Sequence, residues 1–158
     1  MNTNIIIKRV GRDYIKQTNL DEKLTNIIYN NFINLAKFPI LKHTRQDIYK
    51  LLNSNNLILW LVIVNNNIIG YAVCEYNNLT DGRQIIYINY IYIGSKYRDN
   101  KLGSKLLYRI IGYAQERNMN VMLICDTDNE KVLDFYMKKG FMYDLQLRRY
   151  HRFDVLSN

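Results

Sequence analysis

The segment from Tyr97 to Ser104 combines residue types that bind phosphate when they lie at the start of a helix. Arg98 and Lys101 supply positive charge, and Gly103 lets an anion approach the backbone closely. The first amide groups of a helix have no partner within it, and the helix dipole adds partial positive charge there. We therefore expect a pyrophosphate site in the sequence Tyr97-Arg98-Asp99-Asn100-Lys101-Leu102-Gly103-Ser104.

An ordinary strand-to-helix turn is the alternative interpretation of this segment, and the spacing alone favours it. Two residues are unusual for a phosphate site. Lys101 would cost about 1 kcal/mol if its position needs a positive φ. The Asp99 carboxylate would repel a phosphate, so we expect it to face solvent or to cap the helix.

Hydrophobic patterns predict the elements that would position this segment. The predicted strands begin at Ile5, Leu57, Ile68, Gln84, Val121 and Phe141. The predicted helices begin near Asn19, Thr44, Leu102 and Glu130. The resulting order is β-α-α-β-β-β-α-β-α-β, with no repeat or linker, so we expect one α/β domain over residues 1–158.

Short polar motifs mark helix starts and one turn. Asn19 with Glu22, and Thr44 with Asp47, each stand three residues apart, which predicts a cap and its reciprocal partner for the first two helices. The run Asn65-Asn66-Asn67 separates two apolar stretches, and Asn tolerates a positive φ. This run predicts a hairpin.

The strand Gln84–Ile93 is apolar on both faces, which is typical of a central strand covered by helices above and below. Strict alternation would place Ile85, Ile91 and Ile93 on one face and Ile86 and Ile88 on the other. This strand precedes the phosphate-binding segment, so it would carry the rest of the site.

Composition limits the classes of protein that the chain can represent. It has 158 residues, 48% of them hydrophobic, and a formal net charge of +8, which favours anionic partners. Cys74 and Cys125 lie in apolar runs without metal-ligand spacing, so we expect no metal site and a reducing setting. The longest apolar stretch is far shorter than the roughly 20 residues that span a bilayer, and no signal peptide is evident. We therefore expect a soluble, cytoplasmic protein.

In this context the chain resembles the GCN5-related N-acetyltransferase (GNAT) family. The family's loop reads Arg/Gln-x-x-Gly-x-Gly/Ala after a strand of the form Leu-x-x-Leu-x-Val. This chain has Ile88-Asn89-Tyr90-Ile91-Tyr92-Ile93, then Gly94-Ser95-Lys96-Tyr97, then Arg98-Asp99-Asn100-Lys101-Leu102-Gly103. Further downstream it matches the family's Asn, aliphatic, Tyr and Gly-Phe positions with Asn129, Val132, Phe135-Tyr136 and Gly140-Phe141. The resemblance is close over residues 57–143 and elsewhere rests on topology.

The resemblance implies a central mixed, mostly antiparallel sheet with helices on both faces. It also implies acetyl-CoA as the acetyl donor and a primary amine as the acceptor. In the family, a strand backbone amide polarises the thioester carbonyl, a duty that falls here to the segment 91–93. The implied cofactor-binding residues are Ile91, Ile93, Arg98, Asp99, Asn100, Lys101, Leu102, Gly103, Ser104 and Asn129.

Tyr136 matches the family tyrosine that protonates the leaving thiolate, and Asn129 matches the residue that bonds the cofactor's amide arm. Each has a structural alternative. Tyr136 shares a helix face with Val132 and fits a core aromatic equally by type, and Asn129 fits a helix N-cap.

The general base is not assigned. Relatives often carry a glutamate on the central strand at positions that correspond to Tyr87 or Asn89, and neither is a carboxylate here. The remaining candidates are a water chain, bulk solvent, Glu75, Asp126, His43 and the hydroxyls of Tyr87 and Tyr90.

The acceptor is predicted from charge alone. A basic chain suits a phosphorylated amine, such as an amino-sugar phosphate, better than a polyamine, with Arg148, Arg149 or Arg152 as phosphate ligands. Protein N-terminal or lysine acetylation stays open, as does a non-catalytic acyl-CoA-binding domain. Nucleic-acid binding is disfavoured because no recognised motif appears. Family members commonly form homodimers, so a homodimer is a further expectation.

Overall fold

The computed structural model describes residues 4–32, 44–124, 130–143 and 152–155. The helices are α1 (Arg12–Gln17), α2 (Leu20–Phe32), α3 (Arg45–Leu52), α4 (Leu102–Glu116) and α5 (Glu130–Lys138), with a 3-10 helix at Ser95–Asn100. The strands are β1 (Ile5–Val10), β2 (Leu57–Val64), β3 (Asn67–Asn78), β4 (Gln84–Ile93), β5 (Asn120–Ile124), β6 (Met142–Tyr143) and β7 (Arg152–Val155).

The strands form one sheet in the order β1-β2-β3-β4-β5-β7-β6. Every neighbouring pair is antiparallel except β4 and β5, which are parallel and joined through α4. A parallel pair needs such a crossover because the end of the first strand and the start of the second lie at opposite ends of the sheet. The expected mixed, mostly antiparallel sheet is confirmed.

Helices cover both faces of the sheet, as expected. On one face, α4 packs over the central strands in a core that we call the α4-side core, which includes Trp60, Ile86, Ile88, Ile93, Leu106, Ile110 and Phe141. On the other face, α1, α2 and α3 pack in the α2-side core, which includes Ile15, Leu24, Ile28, Ile48, Leu61, Tyr71 and Tyr90.

Two local predictions are confirmed and one is wrong. The Thr44 hydroxyl accepts from the Asp47 amide at 3.1 Å, and the Asp47 carboxylate accepts from the Thr44 amide at 3.1 Å, which completes a capping box. Asn65 and Asn66 both have positive φ and join β2 to β3 in a tight hairpin. Asn19 directly precedes α2 as expected, but its φ is 50° and the Glu22 amide donates to Asp21 Oδ1 at 2.9 Å, so the predicted reciprocal cap with Glu22 is wrong.

The observed chain has elements that the sequence pattern did not predict. The helix α1 is short and has one buried residue, Ile15, so its periodicity is too brief to detect. The last predicted strand is two strands, and β7 lies between β5 and β6.

A bulge in β4 overturns the expected division of its faces. Val73 pairs with Tyr90 and Cys74 pairs with Ile88, so Asn89 is an extra residue without its own partner in β3. The extra residue resets the alternation. Ile91 and Ile93 therefore pack in the α4-side core with Ile86 and Ile88, and Tyr90 and Tyr92 pack on the opposite face.

Candidate functional site

The first turn of α4 presents three backbone amides. The Lys105 amide donates to the Lys101 carbonyl at 3.1 Å and is the first amide bonded within the helix. The amides of Leu102, Gly103 and Ser104 precede it and have no acceptor inside α4. Because the Leu102 side chain is fully buried, this residue can meet a ligand only through its backbone.

Lys101 adopts the left-handed conformation at the start of α4, with φ 58° and ψ 22°. A residue with a Cβ pays an energetic cost in this region, which is why glycine is favoured there. The 3-10 helix that ends at Asn100 turns into α4 through this residue. The positive φ that was suspected from the sequence is therefore present. The side chains of Asp99 and Asn100 lie outside the described part of the chain.

Arg98 ties the loop to the end of β4. Its Nε donates to the Ile93 carbonyl at 2.8 Å, and its guanidinium lies 5.3 Å from the centre of the Tyr92 ring. The bond to Ile93 occupies one of the five guanidinium donors. Arg98 therefore has a structural contact in addition to the charge that was predicted for it.

Gly103 lies where three elements meet. A Cβ at this position would stand 3.9 Å from Phe135 Cζ and 4.0 Å from Ile93 Cγ1. Gly103 at the start of α4 is therefore close both to Ile93 at the end of β4 and to Phe135 on α5.

The pairing of β4 with β5 ends before β4 does. The last paired residues are Ile88 and Leu123, whereas β4 continues to Ile93 and β5 is described to Ile124. Beyond Ile88, the edge of β4 on the β5 side has no partner strand among the described residues, and we call this unpaired edge the opening of the sheet. An extended ligand with amide groups fits such an opening because the backbone of a strand edge offers donors and acceptors.

Tyr136 lies on α5 against the same core as Ile91 and Ile93. It is half-buried, and its ring makes edge-on contacts with Phe135 at 5.2 Å and Phe141 at 5.6 Å between ring centres. These contacts fit the core aromatic expected for this residue, and its role in protonating the thiolate stays a prediction.

The opposite face of β4 is aromatic. Tyr71 and Tyr92 stack at 5.7 Å between ring centres, and Phe32 of α2 lies 5.1 Å from Tyr90 and 6.3 Å from Tyr92. Asn31 donates to the Tyr71 hydroxyl at 2.8 Å.

Burial raises the pKa of both Tyr71 and Tyr90 above their ordinary value, and the Asp47 carboxylate adds to the rise at Tyr90. Tyr90 therefore keeps its proton near neutral pH. It is a poor general base for this reason.

Other predicted site residues are only partly placed by the structure. Asp126, Asn129 and His43, together with Arg148 and Arg149, lie outside the described residues. The backbone of Arg152 is described in β7, but its side chain is not. Glu75 is half-buried on β3 and pairs with Tyr87.

The sequence identifies Asn89 only as a position at which relatives often carry a glutamate. Its Nδ2 is buried and has no hydrogen-bond acceptor among the described residues. No sequence signal identifies this atom, because the bulge that carries it depends on strand register.

A separate shallow groove of about 500 Å³ runs along α5 and is lined by Glu130, Lys131, Leu133, Asp134 and Met137. Two carboxylates beside one ammonium group do not favour a phosphate. We therefore place the anion site at the start of α4 rather than in this groove.

No group of three or more His, Cys, Asp or Glu side chains in the described ranges is arranged to hold a metal ion. None of the described helices is long and apolar enough to cross a membrane.

Solved structures with different bound molecules share this fold. The NatC complex bound to Gag peptide and CoA contains a chain with a TM-score of 0.71 and 18% identity, which covers 98% of this chain and 99% of that one. An aminoglycoside acetyltransferase from an uncultured soil metagenomic sample, in complex with sisomicin, has a TM-score of 0.60 and 18% identity, with coverage of 85% and 86%. At these identities the likeness shows the fold alone.

Sequence comparison shows the family. An uncharacterised N-acetyltransferase of Methanocaldococcus jannaschii is 26% identical over 81 residues, which cover 49% of this chain and only 36% of that relative. The family model described as "Acetyltransferase (GNAT) family" matches residues 25–141, which is most of the chain. The chain therefore belongs to the GNAT family of acetyltransferases.

Proposed function

We propose that the chain binds acetyl-CoA at the first turn of α4 and along the unpaired edge of β4 beyond Ile88, and transfers the acetyl group to a peptide α-amine. One observation carries the proposal. The three amides of Leu102, Gly103 and Ser104 lie at the same end of the sheet as the opening between β4 and β5. Such a pair of features suits a ligand with a pyrophosphate at one end and an amide-containing arm.

The donor set fits a pyrophosphate. Three consecutive amides, the partial positive charge of the helix start and the cations of Arg98 and Lys101 all favour an anion. A Cβ at Gly103 would be in ordinary contact with Phe135 and Ile93, at 3.9 and 4.0 Å, and its absence leaves the backbone amide uncovered by a side chain. The backbone amides on the unpaired edge of β4 are the donors that we assign to the thioester oxygen.

The reaction forms one C–N bond and breaks one C–S bond. The neutral amine attacks the thioester carbon, and the strand amide stabilises the negative charge that develops on the carbonyl oxygen. The amine then loses a proton to water, Tyr136 supplies a proton to the departing thiolate of coenzyme A, and the resulting tyrosinate regains a proton from water. A phenol of ordinary pKa near 10 is a suitable donor to a thiolate of pKa near 8.5.

A peptide acceptor agrees with the aromatic face of β4. Tyr71 and Tyr90 are buried in this face, and Phe32 and Tyr92 are partly exposed beside them. The side chain of a peptide's first residue can pack on the exposed parts of Phe32 and Tyr92. The NatC structure with a bound peptide supports this assignment by analogy.

An amino-sugar phosphate, which the net charge of +8 favours, is the second candidate. The three arginines expected to bind its phosphate have no described side chains. A protein lysine and an aminoglycoside, the ligand class of the sisomicin complex, are further acceptors to test.

The first experiment titrates acetyl-CoA into the wild-type protein and two variants by calorimetry. Gly103→Trp fills the space between α4, β4 and α5, so we expect micromolar binding by the wild type and a loss of at least tenfold in this variant. Gly112→Trp is the matched control, because Gly112 lies on the same helix and a Cβ there meets nothing within 4 Å. Equal binding by all three proteins would place the cofactor elsewhere.

The acceptor is tested in the same preparation by thiol release. The panel contains short peptides with free α-amines, the same peptides with blocked α-amines and a single lysine, glucosamine 6-phosphate, sisomicin and spermidine. We expect turnover with the free α-amines alone. Turnover with glucosamine 6-phosphate and none with peptides would reverse the choice of acceptor, and binding without any turnover would indicate a non-catalytic acyl-CoA-binding domain.

A further inference from the structure

The bulge in β4 places an amide side chain at the point where the sheet opens. Ile88 is the last β4 residue that pairs with β5, and Asn89 is the next residue. Asn89 is also the extra residue of the bulge, opposite no residue of its own on β3. Bulges commonly occur next to active sites, where they redirect a side chain.

The Nδ2 atom of Asn89 is buried and has no hydrogen-bond acceptor among the described residues. A buried donor without an acceptor is costly, and most such groups in folded proteins have a partner. An apolar side chain of the same size would avoid this cost. The amide therefore has the properties of a group that meets its acceptor only when a ligand is bound.

The position of Asn89 relative to the reacting atoms limits what that ligand group is. The segment 91–93 is the one proposed to polarise the thioester carbonyl, and Asn89 lies two residues before it in the chain. The Asn89 side chain is therefore near the reacting centre without being at it, which suits an atom two or three bonds from the amine nitrogen rather than the nitrogen itself. An amide also has no proton to lose near neutral pH, so Asn89 is not the general base.

We propose that Asn89 is a positioning residue whose Nδ2 donates a hydrogen bond to the carbonyl oxygen next to the acceptor amine. This inference rests on the proposed function, since an α-amine of a peptide carries such a carbonyl and a simple alkylamine does not. The bond would orient the amine toward the thioester and would select α-amino amides over alkylamines. A lysine side chain has no carbonyl at that distance and would be disfavoured for the same reason.

The test uses two conjugates of coenzyme A, one with acetyl-leucinamide and one with acetyl-3-methylbutylamine on the sulfur. The two differ only in the carboxamide, and binding is measured by calorimetry without turnover. We expect the wild type to bind the leucinamide conjugate about five- to tenfold more tightly, which is the range for one net hydrogen bond. In Asn89→Leu we expect the ratio to fall to about one, with the affinity for the methylbutylamine conjugate unchanged.

Two other variants separate positioning from a structural role. Asn89→Asp keeps the shape but replaces the donor with an oxygen, so the preference should invert. Asn77→Leu changes an exposed Asn on β3 and should leave the ratio as in the wild type. Asn89→Leu should also unfold at a higher temperature than the wild type, because it removes a buried donor that lacks an acceptor. A structural role for the amide predicts a lower unfolding temperature instead.

The outcomes distinguish this inference from the proposed function. Tight and equal binding of both conjugates by the wild type would overturn the role of Asn89 and leave acetyl transfer intact. A preference for leucinamide that persists in Asn89→Leu would also overturn it. Failure of coenzyme A and both conjugates to bind would overturn the proposed function, and the inference with it.

Discussion

At the scale of single residues, Lys101 shows a side chain placed where the backbone prefers glycine. Its φ of 58° is required by the sharp turn from the 3-10 helix into α4. The turn directs the first amides of α4 toward the opening of the sheet. The conformational cost falls on this one residue. The positive charge of the Lys101 side chain would attract a phosphate bound at the start of α4.

We expect Lys101→Gly to raise the free energy of unfolding by about 1 kcal/mol, because glycine has no Cβ to strain at positive φ. Denaturant unfolding monitored by circular dichroism measures the change. Lys105→Gly is the control, since Lys105 lies inside α4 and the same substitution should there lower stability by about 1 kcal/mol. A loss of stability in Lys101→Gly would mean that the lysine side chain makes a contact that outweighs the strain.

Tyr136 is the residue proposed to protonate the thiolate. We expect Tyr136→Phe to lower kcat by about 10²–10⁴-fold, the usual contribution of a positioned acid, because phenylalanine keeps the ring contacts but has no proton to donate. Steady-state kinetics measures the loss, and calorimetry should show unchanged affinity for acetyl-CoA.

The matched control is Tyr108→Phe, which removes a hydroxyl from an exposed tyrosine on α4. It should keep full activity. Equal rates for wild type and Tyr136→Phe would mean that Tyr136 is a core residue without a catalytic role. Its half-buried ring and its contacts with Phe135 and Phe141 also fit that alternative.

At the scale of elements, β4 carries most of the site because it is a regular strand only in part. Its first half pairs with both neighbours, and its second half pairs with β3 alone among the described strands. The bulge at Asn89 separates these halves. It also places the aromatic residues Tyr90 and Tyr92 on one face and Ile91 and Ile93 on the other.

The second half of β4 depends on close contact with β3 at Gly70. A Cβ on Gly70 would lie 2.8 Å from the Tyr92 carbonyl oxygen and 2.8 Å from Ile93 Cδ1. We expect Gly70→Ala to lower the free energy of unfolding by about 1–3 kcal/mol, the usual cost of overpacking, because the backbone of β4 must shift. We also expect weaker binding of acetyl-CoA, since the shift moves the end of β4.

Gly112→Ala serves as the comparison for Gly70→Ala. Gly112 lies in the middle of α4, and the added methyl group would meet nothing within 4 Å. We therefore expect the free energy of unfolding of this variant to rise by about 0.5–1 kcal/mol. Denaturant unfolding and calorimetry measure both effects. Unchanged stability in Gly70→Ala would show that β3 and β4 can separate at this point without cost.

At the scale of the whole molecule, the net charge of +8 gives an anionic ligand a favourable field. Screening shortens the range of such a field from about 10 Å at 0.1 M salt to about 3 Å at 1 M. We therefore expect the affinity for acetyl-CoA to fall severalfold as sodium chloride is raised from 0.05 to 1 M, the change that distance-dependent screening predicts.

Calorimetry measures this salt dependence, and a truncated donor is the control. S-acetyl-N-acetylcysteamine has the thioester without any phosphate, so its KM should not depend on salt. A salt-independent affinity for acetyl-CoA would mean that close contacts at the first turn of α4, rather than the overall charge, determine binding.

Several whole-chain expectations stay predictions. A single domain over residues 1–158, a cytoplasmic location and a homodimer were expected from the sequence. Sedimentation of the purified chain tests the homodimer, and limited proteolysis tests the single domain.

The sequence by itself determined the features that depend on neighbouring residues. The Thr44–Asp47 capping box, the Asn65–Asn66 turn and the start of α4 at Leu102 were predictable because each arises from the hydrogen bonding or backbone preference of a few adjacent residues. The family motifs around the loop are local for the same reason. They were sufficient to predict an N-acetyltransferase.

Only the tertiary structure decided which side chains share a face of β4 and where the sheet opens. Strict alternation assigned Ile91 and Ile93 to the wrong face, because a bulge appears only when two strands are paired in register. The buried Nδ2 of Asn89 and the aromatic face formed with Phe32 of α2 follow from that register. Contacts between residues distant in the chain carry no local signal, so the acceptor side of the site could not be predicted from the sequence.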